Sequence, residues 1–273
     1  MHSTSREFRD SSAPSVGRRQ AHTLERMVVV MSTALVASVA YLAASKRMRE
    51  RFFAFWWAVL GGRAPVYVLA QPVRASVLAK SGRLSGRLLE VGSGDGAQLE
   101  HLCGAAAPLV REVVCIEPNK DFHPPLLRAM ASARWHAAVA GIDVRLRLFP
   151  GTLHEFVEAE PTSRFDVIAT WLVLCSVPDV DEAVADCARL LASPGGRLLY
   201  MEHVASSSSA LRRVQQLVQP AWTLLGDGCQ LCRDTRAALE AVSREGKWRS
   251  VHHEQHSLLG GILPMICGVC EAR

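Results

Sequence analysis

The chain has 273 residues, enough for one α/β domain with an appendage, and its net charge of +5 at pH 7 is unevenly distributed. Residues 1–63 carry ten Lys/Arg and four Asp/Glu, which leaves 21 basic and 22 acidic side chains for the remainder. A globular part without excess positive charge argues against nucleic-acid binding, and eight scattered cysteines argue against a small disulfide-rich secreted domain.

The N-terminal part predicts a membrane anchor. Residues 1–26 are polar and are predicted to be disordered. Residues 27–44 read MVVVMSTALVASVAYLAA, an uncharged run that a helix would extend over about 27 Å. Basic residues at 46–51 and an aromatic cluster at 52–57 follow it. We therefore predict an anchor over residues 27–63 that contacts lipid through 27–60. Because the basic flank stays inside, the next domain would face the cytosol.

Three other interpretations of this part were weighed. A cleaved signal peptide is disfavoured, because the basic flank follows the apolar run and 26 polar residues precede it. A buried core helix would need fewer consecutive apolar residues. Residues 1–26 contain serine and arginine, as organelle-targeting extensions do, but Glu7, Asp10 and Glu25 weaken that interpretation.

From about Pro65 onward, strand-like and helix-like segments alternate, which predicts an α/β fold with a doubly wound, mostly parallel, seven-stranded sheet. Helical patterns follow residue 210 as well, and no internal repeat is present. The predicted strands are Arg87–Gly92, Glu112–Glu117, Asp143–Phe149, Phe165–Thr170, Arg197–Glu202, Trp248–His256 and Ile262–Cys270, and the helices between them are Ala97–Cys103, Pro124–Ala133 and Val180–Ala192.

The first predicted strand runs into a glycine-rich loop, LLEVGSGDG, with glycines at 92, 94 and 96. Glycine tolerates positive φ and has no Cβ, so the loop turns tightly and a ligand can approach its backbone. The N-terminus of a following helix would favour an anionic group there. Dinucleotide-binding loops have the spacing G-x-G-x-x-G, whereas here the third glycine comes one residue earlier. The spacing therefore disfavours a nicotinamide dehydrogenase.

Polar residues follow the other strands, where ligands of open α/β sheets bind. Glu117 ends the second strand, 21 residues after Gly96, and its carboxylate is suited to both hydroxyls of a ribose. Glu90 is expected to brace the glycine loop. Gly151 and Thr152 follow the third strand, at the position of an adenine edge.

Five segments in order, LLEVGSGDG, VVCIEPNKDF, FDVIATWLVLCSVPDV, LLASPGGRLLYMEHV and QPAWTLLGDGCQL, resemble methyltransferase-like family 7. This family consists of membrane-anchored thiol S-methyltransferases within the class I S-adenosylmethionine-dependent methyltransferases. The resemblance runs from about residue 85 to the end, within a catalytic domain predicted over residues 64–273, and it implies S-adenosylmethionine as cofactor. It also implies a small lipophilic thiol as acceptor, and an endoplasmic reticulum or lipid-droplet membrane.

The resemblance assigns cofactor binding to residues of the first two segments, and one departure is that Pro150 stands where an acid often precedes the glycine. A thiol acceptor reacts as thiolate and benefits from a base, for which His203 and Asp227 are the candidates. Each also has a structural interpretation, His203 as a loop hydrogen-bond partner and Asp227 as the cap of the next helix. The residues assigned to the cofactor motif by the resemblance are Glu90, Gly92, Gly94, Gly96, Glu117 and Asn119. An apolar acceptor pocket, or simply the core, would contain Trp171, Leu172, Leu174 and Trp222.

Two C-x-x-C pairs, Cys229/Cys232 and Cys267/Cys270, raise the alternatives of a zinc site or a redox dithiol. The 34 residues between the pairs exceed the usual spacing, although three histidines at 252, 253 and 256 lie between them. We predict buried structural cysteines and no metal. The competing functions are a lipid or quinone methyltransferase, such as a ubiquinone-biosynthesis-like C-methyltransferase, and a catalytically idle membrane adaptor.

Overall fold

The computed structural model describes residues 27, 30–33, 37, 39–41, 43–60, 65–192, 194–258 and 261–273. Two compact units are distinguished along the chain, residues 1–48 and residues 49–273. The segment 1–26 and part of the predicted anchor lie outside the described residues. Within the described part of the chain, no helix combines the length and the apolar character that crossing a membrane requires.

The second unit alternates strands with helices, as the sequence predicts, and the seven predicted strands are all present. The strands are β1 (Ser85–Val91), β2 (Leu109–Ile116), β3 (Arg145–Phe149), β4 (Val167–Trp171), β5 (Arg197–His203), β6 (Trp248–Leu258) and β7 (Leu263–Ala272). The helices are α1 (Lys46–Leu60), α2 (Pro65–Lys80), α3 (Leu99–Leu102), α4 (His123–Val139), α5 (Leu153–Ala159), α6 (Val180–Leu190), α7 (Ser209–Leu225) and α8 (Thr235–Arg244).

The strands form one sheet in the order β3-β2-β1-β4-β5-β7-β6. All neighbours pair in parallel except β7, which lies antiparallel between β5 and β6. The order reverses between β1 and β4, and open α/β sheets bind ligands beyond the carboxyl ends of the strands at such a point. The topology therefore predicts a ligand site at the loops that follow β1 and β4.

Helices cover both faces of the sheet, which confirms the doubly wound, mostly parallel architecture. Successive strand residues point to opposite faces, so Leu88 and Leu89 are both fully buried in different core clusters. Side chains from α2, α3 and α4 complete one cluster, and side chains from α5, α6 and α8 complete the other. Burial from both sides explains why β1, β2 and β4 read as nearly continuous apolar runs.

Two local predictions were wrong. The helix predicted over Ala97–Cys103 is reduced to the single turn α3, because Cys103 is extended and Gly104 adopts φ +65°. The glycine loop is therefore not followed by a long helix whose dipole could act on a ligand. Conversely, α5 was not predicted, although Thr152 and Glu155 form the capping box that marks a helix start.

Candidate active site

The glycine loop is fixed against the end of β2. The backbone N–H groups of Gly92 and Ser93 both donate to the carbonyl of Ile116, at 2.9 and 3.1 Å. Gly92, Gly94 and Gly96 adopt φ values of +70°, +54° and +80°, in the left-handed region that favours glycine. The loop thus has the backbone conformation that its sequence predicts.

The three glycines meet different surroundings. A Cβ on Gly92 would lie 2.4 Å from Val173 Cγ2, and one on Gly96 would lie 2.8 Å from the Cβ of Ala129. A Cβ on Gly94 would meet no atom within 4 Å. Gly92 and Gly96 therefore permit close packing inside the protein, whereas Gly94 leaves open space beside the loop.

Glu117 lies next to that open space. Its Oε2 accepts the N–H of Gly94 at 2.8 Å and its Oε1 accepts the N–H of Asn119 at 2.8 Å. Burial raises the pKa of this carboxyl to about 7, against the lowering effect of the two hydrogen bonds, and the charges of Asp227 and Glu50 raise it further. Each carboxylate oxygen keeps a lone pair that a ligand hydroxyl can use.

The Asn119 side chain is used within the protein. It is buried, its Nδ2 donates to the carbonyl of Glu50 at 3.0 Å, and its Oδ1 accepts the N–H of Asp121 at 3.1 Å. These bonds tie the loop after β2 to α1. Asn119 therefore holds Glu117 in place through its own backbone N–H, and a direct cofactor contact by its side chain stays a prediction.

Glu90 is buried beneath the loop. Its Oε2 has no hydrogen-bond partner within the described part of the chain, and the hydroxyl of Ser93 donates to its carbonyl at 3.3 Å. Burial raises the pKa of Glu90 to about 8, and the positive charge of Arg74 offsets part of the increase. Burial thus favours the protonated form of this side chain, which suits an acid that braces a loop from below.

Gly151 and Thr152 lie at the same sheet edge as Glu117, whose N–H donates to the carbonyl of Phe149 at 3.1 Å. The Thr152 hydroxyl accepts the N–H of Glu155 at 3.2 Å, and Glu155 Oε2 accepts the N–H of Thr152 at 2.6 Å. Thr152 therefore caps α5. Its predicted contact with an adenine edge is not tested by these bonds.

The acceptor-side residues follow β4 and β5. Leu172 has φ +59°, a strained conformation for a residue with a Cβ, directly after β4. The next residue, Val173, donates its N–H to Glu202 Oε1 at 3.3 Å. His203 ends β5, is buried, and has its Nδ1 3.6 Å from the Sγ of Cys229. Its Nε2 has no hydrogen-bond partner among the described residues.

Asp227 lies in the turn after α7 with φ +49°. Its negative charge contributes to the raised pKa of Glu117, so Asp227 influences the residue predicted to bind the cofactor ribose. The interpretation of Asp227 as the cap of the next helix was wrong. Asp234 caps α8 instead, accepting the N–H of Ala237 at 3.1 Å.

The four residues predicted as pocket or core divide between the two. Leu174 is fully buried in one core cluster, and Trp171 and Leu172 are partly buried against the other. Trp222 is half-buried, and its ring meets that of His203 edge-on at 6.4 Å. Trp222 and Leu172 are therefore the better candidates for lining an acceptor pocket.

The two C-x-x-C pairs do not converge. Residues three apart on a strand point to opposite faces, so Cys267 and Cys270 lie in different core clusters. The sulfur of Cys229 lies 3.1 Å from that of Cys175, not beside Cys232. The spacing of the cysteines along the sequence did not indicate Cys175. Its position in the loop after β4, a strand that neighbours β5, could have predicted that it lies near His203.

Comparison with known proteins agrees with this architecture. The family model described as "Methyltransferase domain" matches residues 66–253. Thiol S-methyltransferase TMT1A of Homo sapiens is 36% identical over 164 residues, 60% of this chain and 61% of that protein. A ubiquinone biosynthesis O-methyltransferase of Xylella fastidiosa is 37% identical over 169 residues, 59% of this chain and 62% of that protein. These matches span about three fifths of each relative.

A solved structure supports the fold independently. N-methyltransferase NodS from Bradyrhizobium japonicum, in complex with S-adenosyl-L-homocysteine, superposes with a TM-score of 0.51 at 16% identity. The alignment covers 78% of this chain and 90% of NodS.

Proposed function

The chain belongs to the methyltransferase domain family, and we propose on this basis that it transfers a methyl group from S-adenosylmethionine to the sulfur of a small lipophilic thiol. One observation carries the proposal. The Glu117 carboxylate accepts the N–H of Gly94 at 2.8 Å, at a point where the glycine loop faces open space. Val173, in the loop after β4, packs against Gly92 of the same glycine loop. These contacts support a donor site and an acceptor site at one edge of the sheet.

The residues on the donor side fit S-adenosylmethionine. When bound, this compound supplies a methyl group that is already activated on a sulfonium sulfur. Glu117 accepts hydrogen bonds from the ribose hydroxyls, and Gly94 lets the ligand approach the backbone. Glu90 is buried beneath the glycine loop and would act on the ligand through the loop that it braces. Gly151 and Thr152 lie on the adenine side.

The residues on the acceptor side need to orient a thiol, exclude water and promote loss of its proton, because the thiolate is the reactive form. His203 is buried at the end of β5, with one ring nitrogen unpartnered within the described part of the chain. We assign the promotion of thiol ionisation to His203, with Asp227 as the second catalytic candidate. The similarity to a human thiol S-methyltransferase supports a thiol acceptor.

A second candidate function is methylation of a quinol or lipid. It is favoured by the match to a ubiquinone biosynthesis O-methyltransferase, which is 37% identical over 169 residues, against 36% over 164 residues for the human thiol enzyme. The donor side would be the same for both reactions, so the acceptor decides between them. His203 would then act on a phenolic hydroxyl, which ionises at higher pH than a thiol.

The test incubates the purified full chain with methyl-labelled S-adenosylmethionine and a small alkyl thiol. We expect a labelled thioether whose formation saturates with thiol. A protein that binds the donor, as measured by calorimetry, but yields no thioether would contradict the proposal. Labelling of a quinol under the same conditions would support the second candidate instead.

The raised pKa of Glu117 predicts pH-dependent donor binding. Ribose hydroxyls donate to the ionised carboxylate, and below its pKa of about 7 the proton has to leave before binding. We expect the dissociation constant of S-adenosylmethionine to be constant above pH 8 and to rise about tenfold per unit below pH 6. Calorimetry between pH 5.5 and 8.5 measures it. Equal affinity at both ends of this range would contradict the assigned role of Glu117.

We also propose that residues 27–60 attach the protein to a membrane and that the catalytic unit faces the cytosol, on an endoplasmic reticulum, lipid-droplet or mitochondrial membrane. The uncharged run 27–44 supports this proposal. So do the exposed side chains of Phe55 and Trp56 on α1, which follow several basic residues. A lipophilic acceptor would be concentrated at the same surface.

The anchor is tested by flotation of the full chain with phosphatidylcholine vesicles. An arginine at the centre of an apolar run costs about 2.5–3.5 kcal/mol of insertion free energy. We therefore expect Val36→Arg, at the centre of the run 27–44, to reduce the vesicle-bound fraction strongly. Val139→Arg is the matched control, because Val139 is exposed on α4. Equal flotation of the two variants would contradict the proposal.

A further inference from the structure

Three side chains from three separate segments converge behind the acceptor side. Cys175 comes from the loop after β4, His203 ends β5, and Cys229 follows α7. Their sulfur and nitrogen atoms all lie within 4.8 Å of one another, with 3.1 Å between the two sulfurs and 3.6 Å between Cys229 Sγ and His203 Nδ1. All three residues are buried. The mechanism described so far uses only one of them.

The backbone holds this cluster in place. The N–H of Gln230 donates to the carbonyl of Cys175 at 2.9 Å, which joins the two loops that carry the cysteines. Gln219 Nε2 on α7 donates to the carbonyl of Cys229 at 3.1 Å. The two thiols are therefore close to each other because hydrogen bonds hold together the two loops that carry them.

The distance from sulfur to nitrogen fits a bound zinc ion, and the distance between the two sulfurs is shorter than a zinc site requires. Bonds of about 2.3 Å to sulfur and about 2.0–2.1 Å to nitrogen in a tetrahedral site separate sulfur from nitrogen by about 3.6 Å. The distance from Cys229 to His203 has this value. The same geometry separates two thiolate sulfurs by about 3.8 Å, so the cysteine pair would open by about 0.7 Å. Structural zinc sites have four protein ligands, whereas three ligands and an open position are typical of catalytic zinc.

The cluster also borders the donor side. Val173, two residues before Cys175, packs where a Cβ on Gly92 would lie. Asp227, two residues before Cys229, acts on the pKa of Glu117. The loops that carry both cysteines therefore lie at the same edge of the sheet as the glycine loop.

We propose that Cys175, His203 and Cys229 bind one zinc ion, and that its open position binds the sulfur of the acceptor thiol. The second part rests on the proposed function. The acceptor loses its S–H proton to water and binds as thiolate. A bond then forms between its sulfur and the methyl carbon, while the bond from that carbon to the donor sulfur breaks and its electron pair stays on the donor. The bound metal would promote ionisation of the thiol, and His203 would contribute as one of the three ligands that hold the metal.

Metal content and cobalt spectroscopy test the metal site without any activity measurement. Purified full chain is expected to contain about one zinc per chain, and the apo protein to give the visible bands of tetrahedral Co²⁺ with a thiolate charge-transfer band. Cys175→Ser, Cys229→Ser and His203→Gln should each weaken Co²⁺ affinity about 100-fold or more. Circular dichroism and donor binding identify variants that fail to fold.

Two matched controls accompany these variants. Cys232→Ser removes the other cysteine of the same C-x-x-C pair and should leave Co²⁺ binding unchanged. Cys267→Ser tests the second cluster of possible ligands, formed with Glu254 and His256, and should likewise have no effect. Absence of zinc and of the Co²⁺ spectrum in protein with free thiols would overturn the proposal. A Cys175–Cys229 disulfide as the resting state, or equal binding by all variants, would do the same.

The acceptor part is tested by adding an alkyl thiol to the Co²⁺ protein. A shift of the charge-transfer band indicates a new sulfur ligand, and an unchanged spectrum overturns this part. The spectral test separates the two proposals. A shifted spectrum without any thioether product would contradict the thiol methyltransferase function but leave the metal site intact.

Discussion

Replacing Glu117 by glutamine is expected to weaken the binding of S-adenosylmethionine by about 100-fold or more. The amide keeps one acceptor oxygen, but its NH2 group would face the N–H of Gly94 or of Asn119, which now bond to the two carboxylate oxygens. The charge-assisted bonds to two ribose hydroxyls are lost as well, each contributing about 1.5–3 kcal/mol. Isothermal calorimetry at pH 8, where Glu117 is ionised, measures the effect.

The matched control for this variant is Glu100→Gln, which removes the same charge from an exposed side chain just after the glycine loop. We expect the donor affinity of this control to equal that of the unmodified chain. If Glu117→Gln bound S-adenosylmethionine as tightly as Glu100→Gln, the ribose would have to lie elsewhere, and the donor site proposed at this edge would be wrong.

Replacing Gly92 by alanine is expected to lower the free energy of unfolding by about 2–4 kcal/mol and to abolish donor binding. The new Cβ would lie 2.4 Å from Val173 Cγ2 and 2.9 Å from Val173 Cβ. Because the Cβ itself is too close, rotation of the valine side chain does not relieve the contact. The residue also has φ +70°, which adds strain.

Substitutions at two other glycines distinguish the effect of an added Cβ on packing from its effect on ligand binding. Gly94→Ala and Gly141→Ala both place a Cβ at positive φ with no atom within 4 Å. Each should lower the free energy of unfolding by only about 1 kcal/mol. Of these two variants, only Gly94→Ala should lose donor binding, since its Cβ would enter the ligand space. Urea unfolding and calorimetry on the three variants check this. A stable Gly92→Ala protein, or tight donor binding by Gly94→Ala, would contradict the account.

Most of the sheet could be predicted because buried parallel strands have a simple sequence pattern. The runs around Leu88, Val113 and Ile168 are apolar on both faces, and the first two end in a glycine-rich or polar loop. The helix after the glycine loop was predicted too long because helical composition did not reveal the extended backbone at Cys103 and Gly104. The start of α5 was readable from Thr152 and Glu155 but was interpreted only as a ligand position.

For the candidate site, the sequence predicted the donor side but not the cysteine cluster. The donor side follows from local sequence, because the glycines and Glu117 end neighbouring strands. The cysteine cluster could not follow from spacing, since Cys175 and Cys229 are 54 residues apart and meet only through the order of β4 and β5 in the sheet. The C-x-x-C pairs attracted attention because of their spacing, yet strand geometry separates Cys267 from Cys270.

We propose that a bound methyl donor and a thiol acceptor meet at one edge of the sheet. The most direct test gives the purified full chain trideuteromethyl-labelled S-adenosylmethionine with equal concentrations of an alkyl thiol and a quinol, and identifies the labelled product by mass spectrometry. We predict that the label accumulates on the sulfur of the thiol and that Glu117→Gln prevents this. Label on the quinol alone, or thioether formation that does not require Glu117, would contradict the account.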